Sequence, residues 1–232
     1  MTVTLPFSDR IQAGQSLAER LRAHGVIPPV VVLGLPRGGV PVAACVAKAL
    51  NAELDIMTAR KVGAPGHEEL ACGAVASGGI RVWNHRVLRA LGFTPEELAV
   101  TVRSEEAEVE KRERSIRTAE TPVLELAGCD VIIVDDGVAT GATMRAAIRA
   151  VRSRAPRRVI VALPVGPTDT CQELVQEEDV EVVCLHPVPA GEFGSVGQWY
   201  RDFSQVETEE CREILTASRK GDTLGRRNSR PV

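Results

Sequence analysis

Short unbroken runs of Val, Ile and Leu recur along this chain, and they restrict its fold more than any other feature. They cover residues 30–35, 54–59, 131–134, 159–163 and 180–185. Each has strand length and none alternates apolar with polar residues, which is how strands covered on both faces of a parallel sheet read. Helical patterns separate them at residues 40–50, 143–154 and 169–178. Strand and helix therefore alternate, and the expected class is α/β, a mainly parallel twisted sheet flanked by helices. A further helix is expected before the first strand, capped by Ser8 or Asp9, with Ile11, Leu17, Ala18 and Leu21 along one face.

Residues 63–121 interrupt the alternation. Ser77-Gly78-Gly79 sits between two short apolar stretches and signals a hairpin. Thr94-Pro95-Glu96-Glu97 then combines a helix N-cap, a proline at the first helical position and an acid at the third. The helix that follows carries Glu105, Glu106, Glu108 and Glu110 against Lys111, Arg112 and Arg114, an alternation of sign that reads as a solvated face with paired charges. This region is expected to form a hood over the carboxyl edge of the sheet, inserted in a single domain of residues 1–219. Residues 220–232 are polar, basic and rich in Gly and Ser, and are expected to be a disordered tail.

Net charge is only −3, which argues against a chain that holds nucleic acid by its overall field. No apolar stretch is long enough to span a bilayer, and the first ten residues lack the pattern of a secretory signal. Six scattered cysteines form no CxxC pair, so reduced core thiols in a cytoplasmic protein are expected, with neither nucleic-acid nor membrane partners.

The most informative segment is residues 131–143, VIIVDDGVATGAT. A buried strand delivers two adjacent carboxylates, a loop of small residues and threonines follows, and a helix opens. Small residues let several N–H groups converge on one phosphate, and the helix adds its own unpaired N–H groups and the positive end of its dipole. Thr140 and Thr143 can add hydroxyl donors, while paired acids suit vicinal hydroxyls. A simple helix cap needs one acid, so Asp135 and Asp136 together exceed that role. The Gly-Lys-Ser/Thr ending of a nucleotide P-loop is missing.

This segment resembles the phosphoribosyl-pyrophosphate (PRPP) motif of type I phosphoribosyltransferases, which join the ribose phosphate of PRPP to a nitrogen base and release pyrophosphate. The resemblance implies that Asp135 and Asp136 bind the ribose hydroxyls and that Ala139, Thr140, Gly141, Ala142 and Thr143 wrap the 5′-phosphate. It also implies a Mg²⁺ cofactor anchored by Asp135 through its water shell. Leu33-Gly34-Leu35-Pro36-Arg37-Gly38-Gly39 resembles the family's pyrophosphate loop, with Arg37 as the charged contact and Gly38 and Gly39 permitting close backbone approach. Lys61, within Arg60-Lys61-Val62-Gly63-Ala64-Pro65-Gly66, stands where the family places a basic residue near the pyrophosphate. The run after it suits either a lid or a surface turn.

Across residues 7–210 the chain is similar to a little-characterised group of predicted phosphoribosyltransferases that share Gly-Leu-Pro-Arg-Gly-Gly-Val, Arg-Lys-Val-Gly-Ala-Pro-Gly and Gly-Gln-Trp-Tyr. The resemblance implies small-molecule substrates, PRPP and an unidentified base, and is compatible with a homodimer. Catalysis would rest on Asp135, Asp136, Arg37 and Lys61, so that Asp135→Asn or Asp136→Asn lowers turnover. Ala139 stands where 6-oxopurine enzymes carry an aspartate, which disfavours those acceptors. Two alternatives stay open: a PRPP-sensing regulator without catalysis, and a hydrolase that uses water as acceptor. Residues 163–167 are expected near the acceptor pocket. The cluster Phe193, Trp199, Tyr200 and Phe203 suits either base stacking or packing of the C-terminal segment. His67, His85 and Glu68-Glu69 lack matched partners in the sequence and read as surface residues.

Overall fold

A computed structural model describes residues 5–66 and 70–226. Helix α1 (Arg10–Arg22) leads into β1 (Val30–Gly34), α2 (Gly39–Leu50) and β2 (Glu53–Ile56). Asp9 caps α1, its Oδ1 accepting from the Gln12 N–H at 2.8 Å. The chain then builds a separate antiparallel sheet, β3 (Ala59–Val62), β4 (Gly73–Ala76) and β5 (Ile80–Trp83), followed by α3 (His85–Leu91) and α4 (Ala99–Ile116). It returns through β6 (Asp130–Val134), α5 (Ala142–Arg152), β7 (Arg158–Pro167), α6 (Thr168–Glu178) and β8 (Glu181–Val188), and ends in α7 (Thr208–Arg226).

The main sheet has the order β2-β1-β6-β7-β8 and every pairing in it is parallel. Alternate residues of each strand point to opposite faces. Val30, Val32, Ile132, Val134 and Ile160 meet α1, α2 and α7, while Val31, Leu33, Val131, Ile133 and Val161 meet α5 and α6. Burial of both faces is why these strands lack polar alternation.

The chain leaves β1 toward β2 on one side and meets β6 on the other. This reversal opens a crevice at the carboxyl ends of β1 and β6, where open α/β sheets bind ligands.

The hood has its own core of Val62, Val75, Leu88, Leu98, Val102 and Val109, and its strands β3 and β4 lie on α5 through small side chains: Ala59, Ala74 and Ala76 share a cluster with Ala146, Ala147 and Ala150. Asp55, inside β2, ties hood to sheet. It is 1% exposed, accepts from the Leu124 N–H at 2.9 Å and pairs with Arg117 at 2.7 Å and Arg219 at 3.7 Å.

Three expectations change. The run at residues 54–59 is two strands in two sheets, broken at Met57 and Thr58, so the hood starts at Ala59 and not at residue 63. There the Thr58 N–H donates to Ser77 Oγ and its carbonyl accepts from the Ser77 N–H, which hands the chain over to the hood. Helix α7 reaches Arg226, seven residues into the stretch read as a tail; residues 227–232 lie outside the described residues. The charged helix α4 is only partly a solvated face. Glu110 and Arg114 pair in solvent, but Glu105 reaches Arg60 and Glu106 reaches Arg81 of the hood sheet.

Candidate functional site

Two loops interlock at the crevice. After β1 the chain runs through Leu35, Pro36, Arg37 and Gly38 into α2, with a cis peptide between Pro36 and Arg37. After β6 it runs through residues 135–141 into α5. The Leu35 N–H donates to the Val134 carbonyl at 2.9 Å and draws the loops together. A Cβ on Gly39 would stand 2.6 Å from that carbonyl oxygen, and one on Gly38 would stand 1.9 Å from Asp136 Oδ2. Gly39 is therefore required by space, while a side chain at residue 38 would have to push the Asp136 carboxylate aside.

The carbonyls of the second loop are tied down. Ala139 accepts from Thr170 Oγ1 at 2.9 Å, and Thr140 accepts from Arg145 at 2.7 Å, whose guanidinium is fixed by Glu173 and Glu177 of α6. Gly141, at φ +73°, turns the chain into α5 with no side-chain cap. Among the described residues, none of the N–H groups from Ala139 to Thr143 donates a hydrogen bond. Ala139, Thr140 and Thr143 are exposed. Five adjacent N–H groups at a helix start, with their carbonyls occupied elsewhere, are donors of the kind that can hold an anion.

The two acids part company. Asp136 Oδ2 lies 2.8 Å from Arg10 Nε, and the Asp136 carbonyl accepts from the Tyr200 hydroxyl at 2.5 Å. Asp135 lines the crevice, and its Oδ1 accepts the Asp136 N–H at 2.9 Å. Burial pushes the Asp135 carboxyl well above the usual carboxylate range and the Asp136 charge pushes the same way; burial also raises Asp136, with Arg10 opposing.

The crevice has a volume of about 660 Å³. Leu35 and Pro36 line it from the first loop, Asp135, Ala142 and Thr143 from the second, and residues 59–61 and 63–65 with Thr101, Glu105 and Arg112 from the hood. Of the sequence-derived candidates, Lys61, Asp135, Ala142 and Thr143 thus meet in one cleft. Gly38 and Gly39 serve loop packing, and Asp136 is held by Arg10. Arg37 follows Pro36 but does not line the cleft, and its guanidinium makes no ion pair or hydrogen bond among the described residues. Residues 163–167 lie under the loop of residues 135–141 and not in the cleft: the Val165 carbonyl accepts from the Val138 N–H. The aromatic cluster is packing, with Tyr200 stacked on Phe7 and Phe203. His67, Glu68 and Glu69 lie outside the described residues.

Sequence alone does not single out Arg10. Its one local signal is a cation in the first turn of α1, where the helix dipole disfavours positive charge and a partner elsewhere is implied. A second hollow, of about 500 Å³, lies at the amino ends of β7 and β8, but Arg157 and Arg158 in its wall are already paired with Asp130.

A family model described as "Phosphoribosyl transferase domain" matches residues 8–196. Two Mycobacterium tuberculosis proteins, "Putative phosphoribosyl transferase MT0597" of strain CDC 1551 / Oshkosh and "Putative phosphoribosyl transferase Rv0571c" of strain ATCC 25618 / H37Rv, are each 43% identical over 209 residues. That span is 90% of this chain and 46% of each relative, so the chain spans less than half the length of the curated relatives it matches. The crystal structure of TT1426 from Thermus thermophilus is 43% identical, with a TM-score of 0.82 over 91% of this chain and 98% of that one. Among the described residues, no helix is long and apolar enough to cross a membrane. By sequence match and by fold, this chain belongs to the phosphoribosyl transferase domain family.

Proposed function

We propose that this chain is a phosphoribosyltransferase that takes PRPP with Mg²⁺ and transfers its ribose phosphate to a nitrogenous acceptor, releasing pyrophosphate. The observation that carries the reading is the row of five undonated N–H groups from Ala139 to Thr143, a few residues along the same loop from a carboxylate that faces the cleft. The 5′-phosphate would sit on those N–H groups and the ribose hydroxyls on Asp135. Lys61 supports the same reading from the hood side, where a cation offsets charge on departing pyrophosphate.

Among the described residues no three His, Cys, Asp or Glu side chains converge as a metal cage. Glu105, the other carboxylate of the cleft, is paired with Arg60, and one remaining carboxylate fits Mg²⁺, which keeps most of its water and takes its other oxygens from substrate phosphates. Asp135 would hold that water shell, and the bound ion would supply neutralisation of the diphosphate charge. The raised carboxyl of Asp135 agrees with such a fit, since a desolvated acid gains from a nearby cation. The protein's own work is positioning and electrostatics about a ribose carbon that becomes positive as pyrophosphate leaves.

Ala139 supports an acceptor other than a 6-oxopurine. Six free cysteines, four of them buried, suit work in the cytoplasm. The test is calorimetric titration with PRPP, with and without Mg²⁺, followed by pyrophosphate release against a panel of bases. Mg²⁺-dependent binding with base-dependent release is expected. Release that ignores the base would make it a hydrolase, binding without release a sensor, and no binding would remove the reading. Light scattering on the same sample reads out the homodimer.

A further inference from the structure

We infer that Arg10 is a positioning residue for the ribose loop: it holds Asp136 on the protein side, so that of the two adjacent acids Asp135 alone meets the ribose. The inference rests on the proposed function and narrows the family pattern, in which both acids serve the sugar.

Asp136 is gripped from three sides, each supplied by a different part of the chain. Arg10 Nε, at the start of α1, lies 2.8 Å from Oδ2, with the two side chains 12% and 13% exposed. Gly38 presses on the same oxygen so closely that a Cβ there would overlap it at 1.9 Å. The Tyr200 hydroxyl donates to the Asp136 carbonyl at 2.5 Å. Arg10 is itself held: its Nη1 donates to the Ser204 carbonyl at 2.8 Å, and its guanidinium lies 4.0 Å from the centre of the Phe203 ring, which stacks on Tyr200 at 5.1 Å. Guanidinium, ring and hydroxyl thus form one unit that fixes both the side chain and the main chain of Asp136.

Swinging Asp136 into the cleft would leave Arg10 stacked and mostly buried without its anion, a change that ion pairs of this kind resist. Among the described residues, Asp135 makes no ion pair of its own. Its Oδ1 accepts from the next residue's N–H, its carboxyl lies against that of Asp136, and it faces the 660 Å³ cleft. Fixing Asp136 also fixes Asp135, because the Asp136 N–H is what orients the Asp135 carboxylate. Arg suits this role better than Lys: only a planar guanidinium can lie on a ring while donating in its own plane to both a carboxylate and a carbonyl.

The experiment compares Mg²⁺-PRPP dissociation constants of the wild-type chain and four variants, at a temperature where circular dichroism shows each folded. Asp135→Asn is expected to weaken binding about 10- to 100-fold, the worth of charge-assisted hydrogen bonds to two hydroxyls. Asp136→Asn, whose amide oxygen still accepts from Arg10, is expected to stay within about threefold of wild type. Arg10→Gln frees a charged Asp136 inside the loop and is expected to weaken PRPP about tenfold, in the range of small misplacements of a binding group. The double variant Arg10→Gln/Asp136→Asn removes that stray charge and is expected to recover most of the loss. Recovery through a second substitution is a result that general destabilisation does not produce. If Arg10→Gln does not fold, Arg10→Lys replaces it, and its dissociation constant is expected between those of wild type and Asp135→Asn.

Equal losses for Asp136→Asn and Asp135→Asn would overturn the inference while leaving the PRPP reading intact. A double variant no better than Arg10→Gln would also overturn it. Absence of PRPP binding by the wild-type chain would overturn both together.

Discussion

The contact between the two loops can be tested at Gly39. A Cβ on Gly39 would lie 2.6 Å from the Val134 carbonyl oxygen and 2.9 Å from the Asp135 Cα, both backbone atoms of β6 or its end. Ordinary van der Waals contact begins near 3.4 Å, so Gly39→Ala must open the gap by about 0.8 Å. The atom displaced is the one that accepts from the Leu35 N–H at 2.9 Å, and the same opening would stretch that bond past 3.5 Å. Overpacking costs about 1–3 kcal/mol and the lost hydrogen bond about 1 kcal/mol, so a loss of about 2–4 kcal/mol is expected. For a chain of this size that is a fall in melting temperature of roughly 5–15 °C. Gly191→Ala is the control, because a Cβ there meets nothing within 4 Å and its backbone is not left-handed. Thermal denaturation followed by circular dichroism reads both variants. Since the displaced backbone carries Asp135, PRPP affinity of Gly39→Ala should fall about tenfold or more. A Gly39→Ala protein that melts within about 1 °C of wild type would refute the reasoning that the two loops are in contact.

Three further outcomes are expected. Asp55→Ala removes the buried acceptor of Arg117, which keeps Glu113, and of the Leu124 N–H, and should cost about 1–3 kcal/mol in urea denaturation; a loss below about 0.5 kcal/mol would mean that Asp55 does not tie the hood to the sheet. Asp135 has a folded-state pKa above its unfolded value, so its charge opposes folding at neutral pH and the penalty shrinks as pH falls through the raised value. Asp135→Asn should therefore melt higher than wild type at pH 7, with the difference closing toward pH 4, and a difference that grows on acidification would contradict the assignment. Thr170→Val removes the donor to the Ala139 carbonyl and should cost about 0.5–1.5 kcal/mol, with PRPP binding weakened about threefold to tenfold; unchanged binding would show that the loop holds its shape without that bond.

What could be read in the sequence is what short-range rules govern. The Asp9 cap, the turn at residues 77–79 and the reciprocal Thr94–Glu97 hydrogen bonds involve neighbours a few positions apart, and each is present. The buried strands were legible because coverage on both faces leaves no polar alternation. The break at Met57 and Thr58 was not, since one apolar run describes equally a single strand and two strands that diverge into different sheets. Helix α4 begins at Ala99, after the Thr94–Glu97 box, because that box closes a turn and the helix starts beyond it. Arg10 and Asp136 stand 126 positions apart, and the pairing of Glu105 with Arg60 spans 45. Nothing local specifies such partners. The sequence could nominate two acids for the ribose, but only the packing of α1 and of Tyr200 and Phe203 separates them.

The origin of the cleft's walls gives that separation a wider meaning. Leu35 and Pro36 directly follow β1, residues 59–61 follow β2 after Met57 and Thr58, and Asp135 directly follows β6. Three neighbouring strands therefore present their carboxyl ends to one space, and the parallel order alone brings them there. On the proposed function those ends carry the groups for phosphate and ribose, and Gly39 locks the loop after β1 against the backbone of β6. The opposite wall is Thr101, Glu105 and Arg112 of α4, held to the sheet through Asp55 and to the hood strands through the Arg60–Glu105 pair. These are side chains on a helix, and their identity can change with no consequence for the sheet. On the proposed function, the acceptor is therefore to be sought through α4, and substitutions at Thr101 and Arg112 are where preference among bases should move while PRPP affinity stays.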